Sequence, residues 1–213
     1  MTRTTCPIRC NGLDERKQMN KRRFLALTSL GGLGASAAQA SVKPPPRPGP
    51  GLLTVSGAIG KGNRGPIDAA LDQMMVKHKV AFDRAHVFDA PALQRLAAIQ
   101  IRPTLEYDAK VHALSGPLLS SVLEAAGVAS AGDVMLTLRA VDGYAVNVSL
   151  TDARAWRMIV ATAIDGQPLA LGGLGPQWAV YEADTVDAFK DKPLKERFAL
   201  CPWGLYHVDV KRG

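Results

Sequence analysis

The chain has 213 residues, with 26 lysines and arginines against 19 aspartates and glutamates, for a net charge of +7. Residues 1–40 hold seven basic and two acidic residues, which accounts for +5 of that charge and leaves +2 for residues 41–213. The larger part therefore has mixed signs rather than the basic stripe of a nucleic-acid-binding domain, and nucleic acid is excluded as a partner.

The first forty residues have the organisation of an export signal. Lys21, Arg22 and Arg23 form a positive head, residues 24–27 begin an apolar core, and residues 38–40 (Ala-Gln-Ala) are a cleavage site of small residues. Glycine, serine and threonine interrupt the core, whereas a membrane anchor needs about 20 strongly apolar residues. We therefore expect no stable membrane anchor after cleavage.

The order Arg-Arg-Phe-Leu at residues 22–25 resembles the twin-arginine class of signal, which exports proteins already folded. It predicts a periplasmic protein, and the alternative is an ordinary secretory leader that carries two arginines. Met19 stands where such leaders begin, so we expect that translation starts there. Cys6 and Cys10 would then lie outside the functional protein.

After the leader, residues 41–51 are rich in proline and predict a stiff linker, because proline lacks an amide donor and has a fixed φ. The domain proper is expected over residues 52–213, and 173 residues after cleavage suffice for one hydrophobic core. Residues 52–59 predict a first strand, and Pro66 favours a helix over residues 67–77. Its buried stripe is expected from Ile67, Leu71, Met74 and Met75.

Two further helices carry start and stop signals. Asp89 is expected to cap a short helix over residues 91–98, which an extended stretch follows to Tyr107. Pro117 opens the next helix and Gly127 ends it. Its buried stripe is expected from Leu118, Leu119, Val122 and Leu123.

From Val134 onward the pattern predicts strands joined by tight turns. Asp142-Gly143 and Asp165-Gly166 are turn signals, and residues 184–197 form a charged surface segment. The expected strands are residues 134–140, 144–150, 157–164, 177–181 and 204–210. Strands with short helices between them and no regular βαβ rhythm indicate an α+β fold.

Seven short motifs follow one another through residues 52–213. They are residues 52–59, 88–93, 116–119, 142–144, 164–169, 175–181 and 203–205. In this order and spacing they resemble the oxidoreductase molybdopterin-binding domain, the fold of the sulfite oxidase family. The resemblance spans nearly the whole mature domain. It implies a mixed, β-rich α+β fold with a few short helices, and molybdopterin as the cofactor.

The chain departs from that family where the metal is held. Members that oxidise sulfite bind molybdenum through a cysteine before the Gly-Pro-Leu helix, but residues 99–107 contain none and the nearest equivalent is Thr104. A hydroxyl cannot replace a thiolate as a soft ligand. Cys201 is expected on another element, away from the site, as an inert buried thiol. Pro202 replaces the family's basic residue for the cofactor phosphate, so the sequence predicts a domain without catalytic molybdenum.

Five residues are expected to line the pocket that the resemblance implies. Tyr144 matches a family tyrosine beside the substrate site, and the alternative is a half-buried strand aromatic whose hydroxyl bonds to the backbone. Trp203 has a similar alternative, a core aromatic. The remaining three are Arg102, Thr104 and Tyr107. The expected ligand is a pterin or a small anion.

Three functions follow from the sequence. The first is an exported ligand-binding or accessory module, with a periplasmic protein partner as a further expectation. The second is a working periplasmic molybdopterin-dependent oxidoreductase of the sulfite oxidase type. The third is a structural partner protein with a filled interior near Tyr144. The four histidines are scattered, with no pair on one helix face, so no zinc site is expected.

Overall fold

The structure, a computed structural model, describes residues 49–129 and 132–213. The leader and most of the proline-rich linker lie outside the described residues. The twin-arginine signal, the start at Met19 and the linker over residues 41–51 therefore stay predictions.

The described residues form eleven strands and a few short helices, with no regular alternation of the two. The strands are β1 (Leu53–Gly57), β2 (Ala85–Phe88), β3 (Ala98–Ile101), β4 (Leu114–Pro117), β5 (Val134–Ala140), β6 (Ala145–Ser149), β7 (Ile159–Ala161), β8 (Ala163–Ile164), β9 (Gln167–Pro168), β10 (Trp178–Val180) and β11 (Leu205–Arg212). The helices are α1 (Gln73–Lys77), α2 (Ala90–Gln94), α3 (Leu119–Ala125) and α4 (Leu150–Ala155), with a 3₁₀ helix at Leu194–Glu196. The predicted α+β class is confirmed.

The strands form three sheets. The largest has the order β2-β1-β11-β5-β6, in which β1 and β11 are parallel and the other pairs are antiparallel. A second sheet has the order β3-β4-β8-β9, and β7 pairs with β10 in a third. Backbone hydrogen bonds from Thr162 N to Ser115 O (2.9 Å) and from Leu119 N to Met158 O (2.8 Å) join β4 and the first residue of α3 to the residues on either side of β7.

The main hydrophobic core lies between these sheets and the helices, and a second, smaller cluster contains Met75, Val80 and Tyr206. The alternate residues of β5 that face the main core, Leu136 and Leu138, are fully buried, as are Leu119 and Val122 of α3. This is the pattern expected of a sheet with one face against the core. Within the described part of the chain, none of the helices combines the length and the apolar character needed to cross a membrane.

Two local signals in the sequence are confirmed. The side chain of Asp89 accepts a hydrogen bond from the Ala92 amide (2.7 Å) and caps α2. The Asp142-Gly143 turn connects β5 to β6, and Gly143 has a φ of +92°, a conformation that favours glycine.

The helix predicted over residues 67–77 is wrong in its first half. α1 begins only at Gln73, because the Asp68 side chain binds the amides of Ala70 and Leu71 and holds this segment in turns. Leu71 is 82% exposed and Met74 is 39% exposed, so neither belongs to the buried stripe. Met75 is buried as expected.

Three other features differ from the prediction. β2 was not predicted, and residues 157–164 form two short strands rather than one. α4 follows β6 directly, where the sequence predicted strand through Leu150. Its start is explained by Ser149, whose hydroxyl accepts a hydrogen bond from the Asp152 amide (2.9 Å).

Candidate functional site

A cavity of about 260 Å³ opens where three loop regions meet. The first region follows β3, the second is the turn between β5 and β6, and the third leads from the 3₁₀ helix to β11. The lining residues are Glu106, Tyr107, Ala140, Asp142, Tyr144, Lys195, Phe198, Ala199, Cys201, Pro202 and Trp203.

Three aromatic side chains stand out in this lining. Tyr107 is 56% exposed, Tyr144 is 49% exposed and Trp203 is 36% exposed. They are the aromatic members of the exposed large hydrophobic residues in the described part of the chain, and all three line this one cavity. Exposed aromatic surface gathered in a concave site is typical of ligand-binding pockets.

Tyr144 is held by hydrogen bonds at both ends. Its amide donates to the side chain of Asp142 (2.8 Å), which fixes the turn before β6. Its hydroxyl donates to the carbonyl oxygen of Ala199 (2.6 Å). The hydroxyl is therefore satisfied by backbone, as the sequence alternative described, while the ring lines the cavity.

Cys201 lies in the same cavity lining as Tyr144, which corrects the expectation that it lies away from the site. Its side chain is buried, at 3% exposure, as predicted. Burial raises the pKa of the thiol to about 12, against an opposing effect of hydrogen bonds from Tyr181. The sulfur is therefore a neutral thiol at physiological pH rather than a thiolate.

The segment that carries Cys201 rests on β10. The indole Nε1 of Trp178 donates to the carbonyl oxygen of Cys201 (2.8 Å), and the Ala179 amide donates to the carbonyl of Pro202 (3.2 Å). Trp178 is 1% exposed. A buried side chain thus positions the cavity wall through the backbone.

Tyr107 is a protonated phenol. Burial raises the pKa of Tyr107 to about 12, the neighbouring charge of Glu106 adds to this, and a hydrogen bond from Trp203 opposes it. The ring can therefore offer its face or its hydroxyl to a ligand, and it carries no charge of its own.

Two of the five predicted site residues lie outside the cavity lining. The Thr104 amide donates to the carboxylate of Asp184 (2.6 Å), and Thr104 pairs with Val111 in an isolated bridge. Arg102 is exposed. The structure brings Tyr107, Tyr144 and Trp203 together and leaves these two apart. A role of any of the five in binding a cofactor stays a prediction.

Glu106, Lys195 and Cys201 were not among the predicted site residues. Glu106 adjoins Tyr107 in the sequence, which is a usable signal. Lys195 belongs to a segment whose many charges indicated only a solvated surface.

His112 anchors the loop that carries Glu106 and Tyr107. Its Nδ1 lies 2.6 Å from an Asp165 carboxylate oxygen and its Nε2 lies 3.0 Å from one of Asp108. Both hydrogen bonds can be donated at once only by the imidazolium. The hydrogen bonds that His112 donates to Asp165 and Asp108 raise the pKa of His112, and His112 holds the pKa of each carboxyl below its usual range.

The hydrogen bonds of His112 to Asp108 and Asp165, called the His112 clamp below, predict a pH dependence of the stability of the fold. Because the folded-state pKa of His112 is above 6.5, its contribution is complete below that pH and is lost as pH rises through the raised value. The carboxylates of Asp108 and Asp165 stabilise the fold in their ionised form. That stabilisation is lost only as pH falls through their lowered pKa values. Burial lowers the pKa of His207 to about 4, so that group adds stability as pH rises to about 7.5 and nothing above it. We therefore expect urea midpoints to fall between about pH 7.5 and about pH 9, and the His112→Gln variant to lose this fall.

His86→Gln is the matched control for the clamp, since the ring of His86 faces the Lys61 carbonyl (3.3 Å) rather than a carboxylate. It should keep the slope of the unsubstituted chain. If His112→Gln kept it as well, the clamp would not be the cause.

The donor groups at the cavity do not fit the molybdenum cofactor. Cys201 supplies the one thiol of the lining, and because its side chain is only 3% exposed the sulfur offers little access to a metal ion in the cavity. Glu106 and Asp142 face a single lysine, Lys195, so the lining does not favour an anionic cofactor phosphate. Among the described residues, no group of three or more His, Cys, Asp or Glu side chains could hold a metal ion.

Comparisons with known proteins found similarity among solved structures. No family profile matches the chain, and no curated protein matches it in sequence. Among solved structures, it is similar to the sulfane dehydrogenase SoxCD from Paracoccus pantotrophus, with 13% identity and a TM-score of 0.47. The match covers 74% of this chain and 37% of that chain, so the chain spans little more than a third of its neighbour's length.

Proposed function

We propose that this chain is an exported module of the molybdopterin-binding type that binds a small ligand, or acts as an accessory protein, without catalytic molybdenum. The observation that carries the proposal is the convergence of Tyr107, Tyr144 and Trp203 on one cavity. Concave sites with aromatic walls and a few polar groups are where proteins bind small molecules.

The positions of three family-like motifs support the proposal. Residues 142–144 form the turn at the cavity, residues 175–181 include the strand beneath it, and residues 203–205 lead from it into β11. Three of the seven motifs that carry the resemblance therefore lie at the cavity or next to it. Export by the twin-arginine route and a periplasmic location remain part of the proposal.

The alternative is a periplasmic molybdopterin-dependent oxidoreductase. It needs a soft donor that the metal can reach, and the burial of the Cys201 side chain does not favour it. A purely structural role needs a filled interior near Tyr144, and the open cavity there does not favour that role.

Metal and pterin analysis separates the proposal from the oxidoreductase. We expect the full-length chain, purified from cells that make the molybdenum cofactor, to contain far less than one molybdenum atom per chain. We also expect no absorption band from a thiolate-to-metal transition. Mass spectrometry for metals and pterin fluorescence after oxidation are the measurements.

Cys201→Ser is the control variant, because it removes the sole thiol of residues 41–213. It should leave the metal content unchanged. Stoichiometric molybdenum that disappears in Cys201→Ser would establish the oxidoreductase and refute the proposal.

A further inference from the structure

The charges at the cavity discriminate between classes of ligand. Two carboxylates line it, from Glu106 and Asp142, and Lys195 is the one basic side chain among the described lining residues. No described ion pair joins Lys195 to either carboxylate. The lining therefore carries a net negative charge at neutral pH.

The aromatic walls favour the same sign of ligand charge. The face of an aromatic ring is the negative end of its quadrupole, and it attracts ammonium groups within about 6 Å by about 0.5–2 kcal/mol. Tyr107, Tyr144 and Trp203 contribute three aromatic side chains to the lining, none of which carries a positive charge. Anions gain nothing from these faces.

The size of the cavity restricts the ligand further. About 260 Å³ is enough to enclose a small organic molecule or a group of that size. From this size, the aromatic walls and the two carboxylates together, we infer that the cavity selects a small organic cation, a primary or quaternary ammonium compound. This inference rests on the proposed ligand-binding function and replaces the pterin or small anion expected from the sequence as the class of ligand.

Choline and its neutral isostere 3,3-dimethylbutan-1-ol test the inference, since the two probes differ in charge and hardly in shape. Sulfate is the anionic probe. Each is titrated into the isotopically labelled full-length chain, and dissociation constants are read from nuclear magnetic resonance shifts of Tyr144 and Trp203. We expect choline to bind at least about tenfold more tightly than the neutral alcohol.

Charge-neutral variants of the lining give the sharper test. Glu106→Gln should weaken choline binding about fivefold, because it removes an attractive charge. Lys195→Gln should strengthen it about two- to fivefold, because it removes a repulsive one. Neither variant should change the binding of the neutral alcohol. If the cavity bound anions instead, Glu106→Gln would strengthen the binding of sulfate and Lys195→Gln would weaken it.

Variants of Trp203 test how much its aromatic ring contributes to choline binding. Trp203→Leu keeps apolar surface and should weaken choline binding about fivefold, whereas Trp203→Phe keeps a ring face and should restore most of it. Far-ultraviolet circular dichroism checks that each variant is folded.

The outcomes separate the inference from the function on which it rests. Equal affinity for choline and the alcohol, or tighter binding of sulfate, would overturn the cation selectivity and leave a ligand-binding cavity. Absence of any shift at Tyr144 and Trp203 with all three probes would count against both.

Discussion

Trp178→Ala is expected to lower the free energy of unfolding by about 3–5 kcal/mol, the usual cost of truncating a buried tryptophan. The indole is 1% exposed on β10, and its ring centroid lies 6.0 Å from that of Phe198. The substitution also leaves the Cys201 carbonyl without its indole donor. We therefore expect the cavity wall to loosen together with the core. Urea denaturation followed by circular dichroism is the measurement.

Two variants separate these effects. Trp178→Phe keeps most of the buried ring and loses the hydrogen bond, so it should cost about 1–3 kcal/mol for an unpaired buried carbonyl. Trp203→Ala removes a tryptophan that is 36% exposed, and it should cost less than Trp178→Ala, about 1–2 kcal/mol. Equal losses in Trp178→Ala and Trp203→Ala would contradict the assignment of Trp178 as the buried anchor of the cavity wall.

The elements that the sequence predicted well depend on local signals. The Asp89 cap needs only the amide three residues later, and the turn at Asp142-Gly143 needs only a glycine with positive φ. One face of β5 packs on the core, so apolar and polar residues alternate along the strand and the sequence shows this alternation directly. Such features are readable because a few neighbouring residues determine them.

β2 could not be predicted because its partners are distant in the chain. Its outer edge is capped by Asn63, whose side chain donates to the Val87 carbonyl (2.9 Å) and accepts from the Val87 amide (2.7 Å). Its inner edge pairs with β1. Neither contact has a signature in the four residues Ala85–Phe88 themselves.

The candidate site also contains residues that the sequence identified and residues whose position depends on contacts between distant parts of the chain. Tyr107, Tyr144 and Trp203 were named through the family resemblance, and each contacts the cavity. Cys201 was placed elsewhere because its position depends on how residues 198–203 lie against β10, a contact held by Trp178. Lys195 and Glu106 join the same lining from regions about ninety residues apart, and nothing local in the sequence brings them together.

Gly116→Ala is the second substitution with a large expected effect. Gly116 lies on β4, between the hydrogen bonds that Ser115 and Leu119 make to the segment around β7. A Cβ at this position would overlap the carbonyl oxygen of Val160 and approach the Ala161 Cα to 2.9 Å. All of these neighbours are backbone atoms, so they cannot give way by a change of rotamer.

We expect Gly116→Ala to lower the free energy of unfolding by about 3 kcal/mol or more, since overpacking that moves backbone is at the costly end of core substitutions. Soluble yield and the urea midpoint are the measurements. Gly65→Ala is the matched control, because nothing lies within 4 Å of its added Cβ, and it should change stability by no more than about 0.5 kcal/mol.

The same variant decides what the family-like motif at residues 116–119 does. β7 pairs with β10, so a displacement of Val160 would be passed to Trp178 and from there to the cavity wall. If packing is the role of Gly116, the fraction of Gly116→Ala that remains folded should still bind choline, with an affinity reduced only as far as the wall has moved. A fully stable Gly116→Ala variant that has lost choline binding would instead assign the glycine to the ligand site.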